Sequence, residues 1–157
     1  MCISFYNLQI SCSFCNRWKS KKDCEFDLYT DNPQKVDVFR FEISDRSLSG
    51  YINGKGIDSI EIKLKSIDSN VSEKDYNSVF HIDELYESFK DDLLPILCHY
   101  QYRNNFYQKQ ALASFKRVYG TKEVVQLLYG FNDVEEDVYK HPLSKLKRDV
   151  AKQLNLI

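Results

Sequence analysis

Residues 36–67 read VDVFRFEISDRSLSGYINGKGIDSIEIKLKSI, and the fold turns on how this stretch is parsed. In its first part Phe39, Phe41 and Ile43 alternate with Arg40, Glu42 and Ser44, which gives a strand one apolar face and one wet face. Near its end Ile60, Ile62 and Leu64 alternate in the same way with Glu61, Lys63 and Lys65. Between them SLSGYI runs into Asn53-Gly54-Lys55-Gly56, and Asn-Gly is the strongest short-range hairpin signal because both positions tolerate positive φ. The stretch predicts a three-stranded antiparallel meander, with ISFYNLQI (3–10) and EFDLY (25–29) as further strand candidates.

From about Ile82 the apolar period becomes that of a helix: Ile82, Leu85, Phe89, Leu93, Ile96, Leu97 and Tyr100 share one stripe. Pro95 lacks a backbone donor, so a kink or break is expected near 91–95. After Asn104 and Asn105 a second helix carries Ala111, Leu112, Phe115, Val118 and Tyr119 and ends at Gly120. Thr121 is expected to cap a short helix holding Val124, Val125, Leu127 and Leu128 and stopping at Gly130, and Asn132 or Asp133 to cap another that ends before Pro142. A last helix from about Ser144 should bury Leu146, Val150 and Leu154 and expose Lys145, Lys147, Arg148 and Lys152. The expected architecture is one α+β domain over 1–157. An N-terminal antiparallel β-meander in 1–70 packs with a C-terminal group of helices in 80–157.

Composition agrees with a packed fold. Hydrophobic residues make up 43% of 157, and 10 Phe with 11 Tyr predict a ring-rich core and exclude a disordered chain. The net charge of −1 conceals a segregation. Residues 1–24 hold four bases against one acid, 25–102 sixteen acids against eight bases, and 103–157 ten bases against six acids. The N-terminus MCISFYNLQISC has no basic region and is broken by Asn7 and Gln9, so it does not read as a signal peptide. No stretch approaches the ~20 apolar residues of a membrane helix. Five cysteines are an odd number, and a cytoplasmic chain with reduced thiols and no membrane partner is expected.

Signals of chemistry are sparse. Cys12 and Cys15 have the CxxC spacing that grips one side of a zinc ion, but the second close pair is missing, and Cys2 and Cys24 would have to converge from a distance. Unliganded thiols are the preferred reading, and no cofactor is expected. His81, His99 and His141 lie far apart without metal-ligand spacing, and the acids at 91–92 and 135–137 are sequence neighbours that splay around a helix. No nucleophile elbow or phosphate-binding glycine loop is present, so the reading is not an enzyme; one with a dispersed site is the alternative. The basic run Arg17-Trp18-Lys19-Ser20-Lys21-Lys22 is read as a tryptophan-bearing turn with its lysines in water.

One local pattern has a counterpart. Ala111, Leu112 and Phe115, then Tyr119-Gly120-Thr121-Lys122-Glu123-Val124-Val125, Leu127, Leu128 and Gly130, with Val134, Val138, Leu146, Val150 and Leu154 continuing the apolar frame, resemble the compact helix-turn-helix domains of phage-type repressors. The resemblance implies helices over 111–154 and a DNA-binding regulator, with Lys140, Lys145, Lys147, Arg148 and Lys152 as backbone contacts. The segment at the recognition-helix position departs from that pattern. It reads DVEEDVY, and Asp133, Glu135, Glu136 and Asp137 would repel phosphate.

The acidic middle block then becomes the leading functional feature, because clustered negative charge attracts basic partners and steers fast association. The expected function is a non-enzymatic protein-binding inhibitor, such as a toxin-immunity protein or a phage-encoded inhibitor of a host defence protein. Its partner would be a protein with a basic surface, for instance a nuclease or nucleic-acid-binding complex. The candidate contact residues are Glu42, Asp45, Asp58, Glu61, Glu84, Glu87, Asp91 and Asp92.

Overall fold

The computed structural model describes residues 17, 39–67, 73–102, 106–131 and 143–157, with the backbone alone at 75–76 and 106–108. The fold is mixed α and β: a two-stranded antiparallel sheet accompanied by helices. β1 (Phe39–Ile43) and β2 (Ile62–Ser66) bury the residues their alternation predicts, with Phe39, Phe41 and Ile43 inward on one and Ile62 and Leu64 inward on the other. Residues 36–38 and the strand candidates at 3–10 and 25–29 lie outside the described residues.

The expected middle strand of the meander is helical instead. α1 (Asp45–Gly50) continues into a π-helical turn (Tyr51–Lys55) and a 3-10 turn (Ile57–Ser59). Ser44 decides this locally: its hydroxyl accepts from Ser47 N at 3.2 Å and caps the helix, while Asp45 sits in the positively polarised first turn. Leu48, Tyr51 and Ile52 are also three and four residues apart, a helical spacing. Gly54, at φ 86 and ψ 14, takes the left-handed conformation its Asn-Gly context predicts, but it ends a helical run and not a hairpin.

Among the described residues six further helices follow: α2 (Glu73–Phe80), α3 (Ile82–Glu87), α4 (Leu94–Tyr102), α5 (Phe106–Tyr119), α6 (Thr121–Tyr129) and α7 (Ser144–Gln153). The long helix expected from Ile82 is broken between α3 and α4, where a 3-10 turn (Lys90–Leu93) intervenes and Pro95 falls in the first turn of α4. There its missing N–H has no helical partner to lose. Thr121 is not the cap of α6. Gly120 is, at φ 86 and ψ 157: its N–H donates to Lys116 O at 3.1 Å, closing α5, and its carbonyl accepts from Val124 N at 3.3 Å, opening α6. Gly130, at φ 70, ends α6 in the left-handed conformation.

The chain groups into two compact units, 1–40 with 64–85, and 41–63 with 86–157. In the first, Phe39, Leu64 and Val79 are buried. Asn77 and Asp83 exchange two hydrogen bonds, Nδ2 to Oδ2 at 3.0 Å and Asp83 N to Asn77 Oδ1 at 2.9 Å, across the turn at His81. In the second, Leu93, Ile96, Leu97, Phe131, Leu146 and Val150 are sealed from solvent, and α4 packs on both α6 and α7.

A two-stranded sheet leaves two open edges, and here helix side chains close both. On β1, Phe41 N donates to Asp149 Oδ2 at 3.1 Å and Ile43 N to Gln153 Oε1 at 2.9 Å, while Gln153 Nε2 donates to Ile43 O at 2.7 Å. On β2, Leu64 N donates to Asp83 Oδ1, Ile62 N to Glu87 Oε1 and Ser66 N to Glu73 Oε2, each at 2.8 Å. The caps come in pairs, 149 with 153 and 83 with 87. Four helical residues rise about 6.0 Å and two strand residues about 6.7 Å, so an i, i+4 pair matches successive outward N–H groups of a strand. These carboxylates and the carboxamide stand where the carbonyls of a third strand would be.

Candidate protein-binding surface

The eight acids marked by the sequence divide into those the fold uses and those it leaves in water. Glu87 accepts from Ile62 N and lies 3.6 Å from Lys90. Asp92 lies 3.5 Å from Lys147, Glu61 3.6 Å from Lys63 and Glu84 3.6 Å from His81. Glu42 is half-buried on β1. Asp45, Asp58 and Asp91 are exposed, at the start of α1 and in the two 3-10 turns. The structure thus spreads the acids over several elements and ties Glu61, Glu84, Glu87 and Asp92 among them to neighbours.

The basic set fares similarly. Arg148, expected in solvent, is buried on α7 with its Nε 3.8 Å from Asp149 Oδ1, because it falls beside Ala151 on the core side of that helix. Lys145 pairs with Asp149 at 3.4 Å and Lys147 with Asp92, and the Lys152 side chain is exposed. Lys140, the DVEEDVY segment, and Cys2, Cys12, Cys15 and Cys24 lie outside the described residues, as does the Trp18 cluster apart from Arg17. Among the described residues no group of His, Cys, Asp and Glu is arranged to hold a metal ion. No described helix is long and apolar enough to cross a membrane.

Two polar pairs join the elements around α4. His99 Nδ1 and Tyr129 Oη share a hydrogen bond with their rings stacked, and Tyr129 stacks in turn on the buried Phe131. Burial lowers the His99 pKa, with help from the Lys116 ammonium, and burial pushes Tyr129 up to about 12. The pair is therefore a neutral imidazole and a neutral phenol near pH 7. On the adjoining position Cys98 Sγ lies 3.6 Å from Tyr51 Oη, whose pKa burial and the thiol raise to about 12. Both pairs bridge separate elements, which is the behaviour of structural contacts.

The feature that the sequence did not reveal is the exposed face of α5 and α6. Phe115, Val118 and Tyr119 on α5 are 51%, 72% and 60% exposed, and Leu127 on α6 is 78% exposed with Leu128 beside it at 41%. Phe115 and Tyr119, one turn apart, stack with centroids 6.0 Å apart and form a ring pair in solvent. Their spacing is that of a core stripe, so periodicity alone assigns them inward. Only packing distinguishes them: Val124, Val125 and Tyr129 use up the inward face of α6.

No family model, no curated protein and no solved structure matches the chain.

Proposed function

We propose that this chain works by stoichiometric binding to another protein, in the manner of an immunity protein or an inhibitor of a defence protein, and that the α5–α6 face is where it binds. The observation that carries the reading is the group Phe115, Val118, Tyr119, Leu127 and Leu128 standing in water on two adjoining helices. Scattered exposed apolar residues are ordinary, but several large ones on adjoining helices mark interaction surfaces. Covering the exposed half of one such side chain is worth roughly 1 kcal/mol. The closed sheet edges support the same choice, since the described outward N–H groups of β1 and β2 already have acceptors and offer little to an added strand.

The acidic surface expected to steer a basic partner draws less support, because Glu61, Glu84, Glu87 and Asp92 are engaged by neighbouring groups and exposed Asp45, Asp58 and Asp91 lie on separate elements. DNA binding draws less support, because the cations of α7 are largely buried or paired within the chain.

A photo-crosslinking residue placed at Val118, at Leu127 and, as a control, at exposed Lys63 tests the proposal in cells carrying the full chain. The partner crosslinked from 118 and 127 should, once purified, form a complex of fixed stoichiometry that Val118→Asp and Leu127→Asp dissociate. Equal adducts from Lys63, or a complex indifferent to both substitutions, would overturn it.

A further inference from the structure

We infer that the α5–α6 face takes an acidic amphipathic helix of a partner protein. This rests on the protein-binding reading and names the chemistry of the occupant. Between Phe106 and Tyr129 the chain carries Lys109, Lys116, Arg117 and Lys122 against the single acid Glu123. Lys109 and Lys116 are seven residues apart, so they stand two turns above one another along the same side of α5. That side borders the strip made by half-buried Leu112 and exposed Phe115 and Tyr119. Arg117 and Lys122 are exposed as well. An apolar strip along α5 with cations two turns apart on its border is complementary to a helix with leucine-like residues on one side and carboxylates along its margin. The α5–α6 face selects against a basic partner, because a lysine-bearing helix would bring like charges together at Lys109 and Lys116 as its apolar face docked.

The test uses the full chain and a synthetic amphipathic helix of about 18 residues, leucine on one face and glutamate on the other, beside a twin with lysine at every glutamate. Fluorescence anisotropy should show the glutamate helix binding at least about tenfold more tightly than its twin, with the gap shrinking in high salt. Val118→Asp should abolish binding while leaving the circular dichroism and urea midpoint in place, since Val118 is largely in solvent. The combined Lys109→Glu, Lys116→Glu and Lys122→Glu variant should reverse the preference between the two peptides.

Equal affinity for both peptides, or binding untouched by Val118→Asp, would overturn the charge-selected site while leaving protein binding by other means open. Two control measurements would overturn it in favour of a different occupant. One is a dimer in light scattering that Val118→Asp dissolves; the other is binding to phosphatidylserine vesicles with neither peptide bound. If no peptide binds and the crosslinks from 118 and 127 also fail, both proposals fall together.

Discussion

Gln153→Ala is the sharpest probe of how this small sheet is kept closed. The carboxamide donates to Ile43 O at 2.7 Å and accepts from Ile43 N at 2.9 Å, copying a peptide group of a missing strand. Ile43 is 1% exposed, so water cannot readily replace either bond. Leaving a buried donor or acceptor without a partner costs about 1–3 kcal/mol, and truncation orphans one of each. The expected loss is therefore about 2–5 kcal/mol, a large part of the ~5–15 kcal/mol that holds a typical domain. Gln153→Glu separates the two bonds: it keeps an acceptor for Ile43 N but sets a carboxylate against Ile43 O. Its loss at neutral pH should shrink on acidification, because the protonated carboxyl can again donate. Urea unfolding followed by circular dichroism, with tryptophan-independent tyrosine absorbance as a second probe, measures both variants. A Gln153→Ala loss below about 0.5 kcal/mol with an unchanged m-value would refute the edge-capping account.

Asp149, which caps Phe41 N, gives a prediction of pH dependence. Burial raises its pKa against the opposing pull of Lys145, the Phe41 amide and Arg148, so its folded value lies above the ordinary 3.8. Stability contributed by this titration is fully present below the unfolded value and lost as pH rises through the folded one, so the advantage of the native chain over Asp149→Asn should shrink as pH is raised from 3 through that window, read from urea midpoints. The opposite trend would show that the ion pairs outweigh burial. His99 should titrate below 6.5 by NMR, and Lys116→Met should move it back upward by removing the ammonium, though not to 6.5, since burial is the larger cause. Ser44→Ala should cost about 1 kcal/mol through loss of the α1 cap, measured by urea unfolding. Gly120→Ala should destabilise by about 1–3 kcal/mol, because φ 86 with ψ 157 is strained for any side chain; a change below about 0.3 kcal/mol would refute that.

The sequence by itself determined the two strands, the break before Pro95, the ends of α5 and α6 at Gly120 and Gly130, and the buried stripe of α7. Each rests on local rules: alternation with period two, apolar residues every three or four, a residue without an N–H, a glycine with positive φ. The helix in place of the expected middle strand has a local cause as well, since the Ser44-Asp45 capping signal outweighs the Asn-Gly turn signal that follows it. What only the tertiary structure decided is which apolar stripes find a partner and which charges find a duty. Phe115, Val118 and Tyr119 have the same spacing as Leu93, Ile96 and Leu97, yet only the latter are buried. Asp83, Glu87, Asp149 and Gln153 look like surface residues until the i, i+4 rise of a helix meets the two-residue repeat of a strand edge. Periodicity marks a face as apolar or polar; its neighbour in space depends on contacts between residues as far apart as 43 and 153.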